Sequence, residues 1–103
     1  MKLQQMRFVL AVAQYDLNIS RAAKHLYTSQ PGVSRQLRLL EEELDIQIFV
    51  RNGKQLVETT PEGKVVLEKF QSIMDLVGDI KDVSAVEVPE RVSFSDLPQL
   101  AYG

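Results

Sequence analysis

Residues 17–44 read LNISRAAKHLYTSQPGVSRQLRLLEEEL, and the spacing inside this stretch decides the fold. Ser20 suits an N-cap, because its side-chain oxygen can accept from a free N–H of the first helical turn. The pattern after it predicts a short helix over Arg21–Leu26, with Ala22, Ala23 and Leu26 turned toward a core. Tyr27-Thr28-Ser29 leaves only a brief connection. A new helix then starts at Ser29 or Gln30, and Pro31 falls in its first turn, where the missing N–H costs nothing. Along it Val33, Leu37, Leu40 and Leu44 recur at steps of four, three and four. At 100° per residue those four lie within about 60° of one another. Pro31, Ser34, Arg35 and Arg38 fall on the opposite side and Gln30 at the exposed end, so this helix is half core and half basic-polar.

Upstream, Leu3, Met6, Leu10, Ala13 and Leu17 recur at steps of three and four, as in an amphipathic helix, and Asp16-Leu17-Asn18 interrupts them. Downstream, Ile46–Val50 is rich in β-formers, Arg51-Asn52-Gly53-Lys54 carries the Asn-Gly hairpin signal, and Gln55–Thr59 returns as a second strand. The expected fold is mainly α: a winged helix-turn-helix of three helices plus a β-hairpin wing, over residues 1–60.

Thr60-Pro61-Glu62 is a strong helix start, and no further proline occurs until Pro89. Val66, Phe70, Ile73, Val77, Ile80 and Ser84 run at alternating steps of four and three, a heptad seam. A linker helix over 61–86, some 25 residues, would extend about 37 Å, more than the small domain before it can cover. We therefore expect a linker helix whose Val66, Phe70, Ile73, Val77 and Ile80 face a partner chain, although the same stripe could pack on its own domain. Gly78 weakens it by about 1 kcal/mol relative to Ala. Residues 87–103 form a tail with little readable pattern beyond the alternation of Val92 and Phe94.

Charge is divided along the chain. The 103 residues carry a net −2, with an isoelectric point near 5.3, and an acidic total argues against nucleic-acid binding. Yet residues 1–54 hold eight cations against five acids, and residues 55–103 hold four against nine. Between Leu17 and Leu40 there are four cations and no acid. The total thus hides a basic segment on an acidic body. The length allows one domain, or a small domain with an appendage. The absence of cysteine removes disulfides, thiol catalysis and Cys-based metal sites. Phe8–Tyr15, the longest uncharged stretch near the start, is too short for a membrane span, and with no signal-peptide pattern the expected location is the cytoplasm.

The run from Leu17 to Leu37 resembles the DNA-binding segment of LysR-type transcriptional regulators. So do Leu40–Leu44 leading into Phe49 and Arg51, and Thr60-Pro61-Glu62-Gly63. The opening Met1–Gln5 and the stretch Tyr27–Ser34 look most like the branch controlling cysteine biosynthesis and sulfur assimilation. The likeness covers about residues 1–85. Members commonly carry Gly where this chain has Asp45, a left-handed helix end that Asp tolerates at some cost. The family's effector-binding domain has no counterpart here, so the chain reads as an excised head or a naturally short regulator, and no small-molecule effector is expected to bind it.

Gln30, Ser34, Arg35 and Arg38 project from one face of a helix that a major groove admits: Arg can bond guanine bidentately, Gln can bond adenine, and Ser is adaptable. The resemblance implies that Gln30, Pro31, Ser34 and Arg35 approach bases or nearby phosphates, and Ser29 at the helix start is counted with them. Arg38 could instead pair with Glu41 or Glu42. Ser20 and Arg21 could hold a phosphate, or Ser20 could be a plain N-cap. Arg51 and Lys54 flank the hairpin tip and could reach phosphate or minor groove, or form a solvated turn. His25, the single histidine, has no cysteine or acidic neighbour at ligand spacing, and Ser34, His25 and Asp16 lack the context of a catalytic triad. The expected activity is sequence-specific binding of double-stranded promoter DNA as a homodimer or higher oligomer, with no enzyme activity, cofactor, metal or membrane partner. A helix-mediated protein-interaction module is the alternative from another class.

Overall fold

The computed structural model describes residues 1–83; the seam position Ser84, the last residues of the expected linker helix and the tail 87–103 lie outside the described residues. The element order is α1 (Leu3–Gln14), α2 (Ile19–His25), α3 (Gln30–Leu44), β1 (Phe49–Asn52), β2 (Gln55–Thr59) and α4 (Pro61–Lys81). Three helices and a two-stranded antiparallel hairpin surround one core, and α4 leads away from it. The expected fold class is observed.

The α1 core face differs from the expected stripe. Val9 and Val12 are fully buried beside Met6, Phe8 and Ala11, whereas Leu3 is 41% exposed and Leu10 and Ala13 are half-buried. Phe8–Ala13 is apolar around most of the helix, so periodicity alone picks no single face. Packing decides instead: α1 touches α2, α3 and α4 and is apolar toward all of them. Asp16 and Leu17 follow in left-handed conformation, with φ of 54° and 64°. That sharp reversal brings Asn18 to the N-cap of α2, where its Oδ1 accepts from the Arg21 N–H at 3.0 Å. Asn18, not Ser20, caps this helix, and α2 starts at Ile19. Ala22 and Ala23 are buried and Leu26 packs against the core, as their spacing predicts.

Tyr27 turns the chain with φ 54°, and Ser29 caps α3 by accepting from the Gly32 N–H at 3.1 Å. Val33, Leu37 and Leu40 are fully buried and Leu44 partly so. The helix ends at Asp45, left-handed at φ 54° and ψ 41°, in the place that glycine occupies at least cost.

Expected as a two-residue Asn-Gly turn, the hairpin turns one residue later. Asn52 pairs with Gln55, so Gly53 and Lys54 form the loop and only Gly53 has positive φ. Glycine first with one positive φ matches the II′ class rather than I′, which needs two. A bulge follows, because Val50 pairs with Glu58 and Arg51 with Leu56, leaving Val57 as the extra residue.

Thr60 joins wing to α4. Its N–H donates to the Ile48 carbonyl at 2.9 Å, and its hydroxyl donates to the Gln47 carbonyl while accepting from the Gly63 N–H at 2.9 Å. A Cβ at Gly63 would stand 2.2 Å from the Ile48 carbonyl oxygen, so only glycine admits this approach. The helix runs 21 residues, Pro61–Lys81, with Asp82 at its C-cap. Phe70, expected at a partner interface, is 3% exposed and belongs to the core of its own chain, with Val66, Leu67 and Ile73 packed beside it. Beyond Ile73 the helix has little to lie on: Leu76 and Ile80 are 61% and 71% exposed.

Candidate nucleic-acid interface

α3 presents its uncovered side next to the wing. Gln30, Pro31, Arg35 and Arg38 are exposed and Ser34 half-buried, because the opposite stripe is locked into the core. Between this side and the hairpin lies an open cleft of about 610 Å³. Gln30, Pro31, Ser34, Arg35, Arg38, Arg51 and Lys54 all line it, with Ile19, Leu37, Leu39, Glu42, Gly53 and Leu56 as the remaining walls. Seven of the ten residues singled out for DNA contact thus meet in one place. Ser20 lines an adjoining cleft together with Gln30 and Lys54. Arg21 and Ser29 line neither: Arg21 is exposed in the first turn of α2, and the Ser29 hydroxyl is engaged as the α3 cap.

Two expectations change on contact geometry. The phosphate cradle suggested for the start of α2 lacks one donor, since the Arg21 N–H already serves Asn18. Arg51 is not a free wing cation: its Nη2 donates to Glu41 Oε1, and its side chain is 25% exposed. Glu41 Oε2 accepts from the Ile48 N–H at 2.7 Å and from the Phe49 N–H at 3.3 Å. The carboxylate is 8% exposed and ties α3 to the first residues of the wing. Sequence alone offers Glu41 as a possible partner of Arg38, not of the wing. Its place four residues after the buried Leu37 was the available signal, because i and i+4 share a helix face.

That pairing removes Glu41 as a partner for Arg38. Glu41 is turned to the core and Arg51. Among the described residues only two ion pairs occur, Arg51–Glu41 and the Met1 amino group with Glu43 at 2.7 Å. Among the described residues, Arg35 and Arg38 on the outer face of α3 and Lys54 at the wing make no ion pair. Gln30 is held at its oxygen: the Ser20 hydroxyl donates to Oε1 at 2.9 Å. His25 Nδ1 shares a hydrogen bond with the Tyr15 hydroxyl at 3.0 Å, away from Ser34. Among the described residues, no group of three or more His, Cys, Asp or Glu could hold a metal, and no helix is long and apolar enough to cross a membrane.

A helix with one face buried and a cationic, amide-bearing face beside a two-stranded wing defines a winged helix-turn-helix head. The chain belongs to the lysR family of bacterial regulatory helix-turn-helix proteins, whose family model matches residues 3–64. It is 40% identical over 84 residues to the HTH-type transcriptional regulator CysB of Haemophilus influenzae, covering 82% of this chain and 26% of that protein. Over 81 residues it is 41% identical to the regulator cbl of Escherichia coli K12, covering 79% and 26%. The chain thus spans about a quarter of the length of these curated relatives. Among solved structures, the CbnR DNA-binding domain in complex with DNA matches with a TM-score of 0.74 and 34% identity, covering 82% of this chain and 95% of that one. The BenM DNA-binding domain on catB site 1 DNA matches with a TM-score of 0.75 and 32% identity, covering 82% and 93%.

Proposed function

We propose that this chain is the DNA-binding head of a LysR-type transcriptional regulator, a non-catalytic, cytoplasmic protein that reads partially palindromic promoter sites as a dimer. The observation that carries the reading is the cleft between α3 and the wing, where Lys54, the Gln30 amide and two arginines with no ion pair among the described residues meet. Similarity to domains solved on DNA supports it. In this reading α3 enters a major groove. Gln30, Ser34 and Arg35 face base edges. Arg38, Lys54 and Arg21 lie toward the backbone, Ser20 stays bonded to Gln30, and Pro31 and Ser29 shape the helix entry. Phosphate contacts supply much of the affinity and make it fall with salt.

Residues 1–60 form the head and α4 the linker. Dimerisation uses the far part of the seam, the exposed Ile80 and half-buried Val77 with the exposed Leu76 beside them, while Val66 and Ile73 form its margin. The similarity to CysB and cbl, together with the resemblance of Met1–Gln5 and Tyr27–Ser34 to the sulfur-assimilation branch, supports control of sulfur-assimilation genes.

Titration of fluorescent duplexes selected from genomic fragments, at two salt concentrations, tests the reading. Arg35→Ala is expected to cost about 1–3 kcal/mol on the selected duplex and to relax preference at one base pair. Equal losses on selected and scrambled duplexes would reassign Arg35 to phosphate. Salt-insensitive or absent binding by the unaltered chain would favour a protein-interaction module.

A further inference from the structure

Ser20 lies in the first turn of α2, and Gln30 opens α3. The hydroxyl of Ser20 is free to reach Gln30 because Asn18 caps α2 in its stead. Gln30 is equally free, since Ser29 caps α3. Both side chains are exposed, and both line the cleft beside Lys54. Neither is needed to hold its own helix, yet they bond to each other at 2.9 Å.

The direction of that bond matters. An unrestrained glutamine on a helix surface samples many rotamers, and freezing it on a ligand costs conformational entropy. A hydroxyl proton on Oε1 turns the carbonyl oxygen toward α2 and leaves the Nε2 donors facing the cleft. Oε1 keeps a second lone pair. An outward NH₂ beside a half-used carbonyl complements adenine, which offers the N7 acceptor and the N6 donor in the major groove.

We propose that Ser20 is a positioning residue for base recognition: its hydroxyl orients the Gln30 amide, and so sets the base preference of Gln30 without touching a base itself. The inference rests on the reading of Gln30 as a base-facing residue.

Selection from a randomised duplex library with the full chain, Ser20→Ala, Gln30→Ala, the double variant and Ser20→Thr tests it. Gln30→Ala should flatten one base-pair position at which the unaltered chain discriminates by at least about tenfold. Ser20→Ala should reduce discrimination at that same position by roughly two- to tenfold, the worth of one hydrogen bond, and leave the other positions unchanged. The double variant should be no worse than Gln30→Ala, and Ser20→Thr, which keeps a hydroxyl, should retain the preference. Three results would overturn the inference: a uniform loss on all duplexes with preferences intact, an effect additive with Gln30→Ala, or no effect of Ser20→Ala. If the unaltered chain enriches no motif, the DNA-binding reading fails as well, an outcome separate from those three.

Discussion

Asp45 shows how a single residue sets the cost of a helix end. It holds φ 54° at the close of α3, where a side chain is strained and glycine is not. It also places a negative charge at a helix C-terminus, against the macrodipole. Both effects favour replacement, and the greater backbone entropy of glycine in the unfolded chain opposes it. The first two win: Asp45→Gly should raise stability by about 0.5–1 kcal/mol, seen as a higher thermal midpoint. An unchanged or lower midpoint would mean that the Asp45 side chain contributes more than the strain it carries. Resemblance to the family, whose members commonly carry Gly at this place, implied the left-handed position here; the same conformation at Asp16, Leu17 and Tyr27 carries no glycine signal.

Among the elements, the wing depends on one buried carboxylate. Glu41 accepts from two backbone N–H groups and from Arg51, so it fixes where β1 leaves the core and where the cleft opens. Breaking a buried pair by removing one partner strands the other groups. Glu41→Ala should therefore cost about 3 kcal/mol in urea unfolding, and Arg51→Ala about 1, because Arg51 is closer to solvent and its loss leaves the carboxylate two N–H donors. Equal effects of the two substitutions would show that the ion pair, rather than the amide bonds, holds the wing. Arg51 is accordingly part of the scaffold, and the salt dependence of DNA binding should come from Arg35, Arg38 and Lys54 more than from Arg51.

At the scale of the molecule, the heptad seam of α4 divides at Ile73. Phe70 fills the core of its own chain, whereas the described residues leave Ile80 71% exposed. The two substitutions should separate stability from assembly. Phe70→Ala should destabilise the head by about 3–5 kcal/mol, measured by denaturant unfolding. Ile80→Glu should leave the head's unfolding curve unchanged and shift sedimentation toward the monomer. A parent chain that already sediments as a monomer would refute the proposed dimer seam. Gly78, with open space around the position of a Cβ, gives α4 no packing advantage within one chain.

Local pattern was enough to read the helix-turn-helix, the α3 core stripe, the Thr60–Pro61 start of α4 and the grouping of Gln30, Pro31, Ser34, Arg35 and Arg38, because caps and periodicity act within a few residues. The α1 face was not legible, since an apolar run looks the same from several sides. The division of the α4 stripe between its own core and open solvent depended on where the wing and α1 sit. Tertiary structure alone decided which polar groups are already engaged. Asn18 takes the cap that Ser20 could have taken, Ser20 turns to Gln30, and Glu41 draws Arg51 out of the free charge. The Asn18 cap is made within three residues, but the other two choices rest on contacts seven to ten residues apart, which a one-dimensional pattern does not specify.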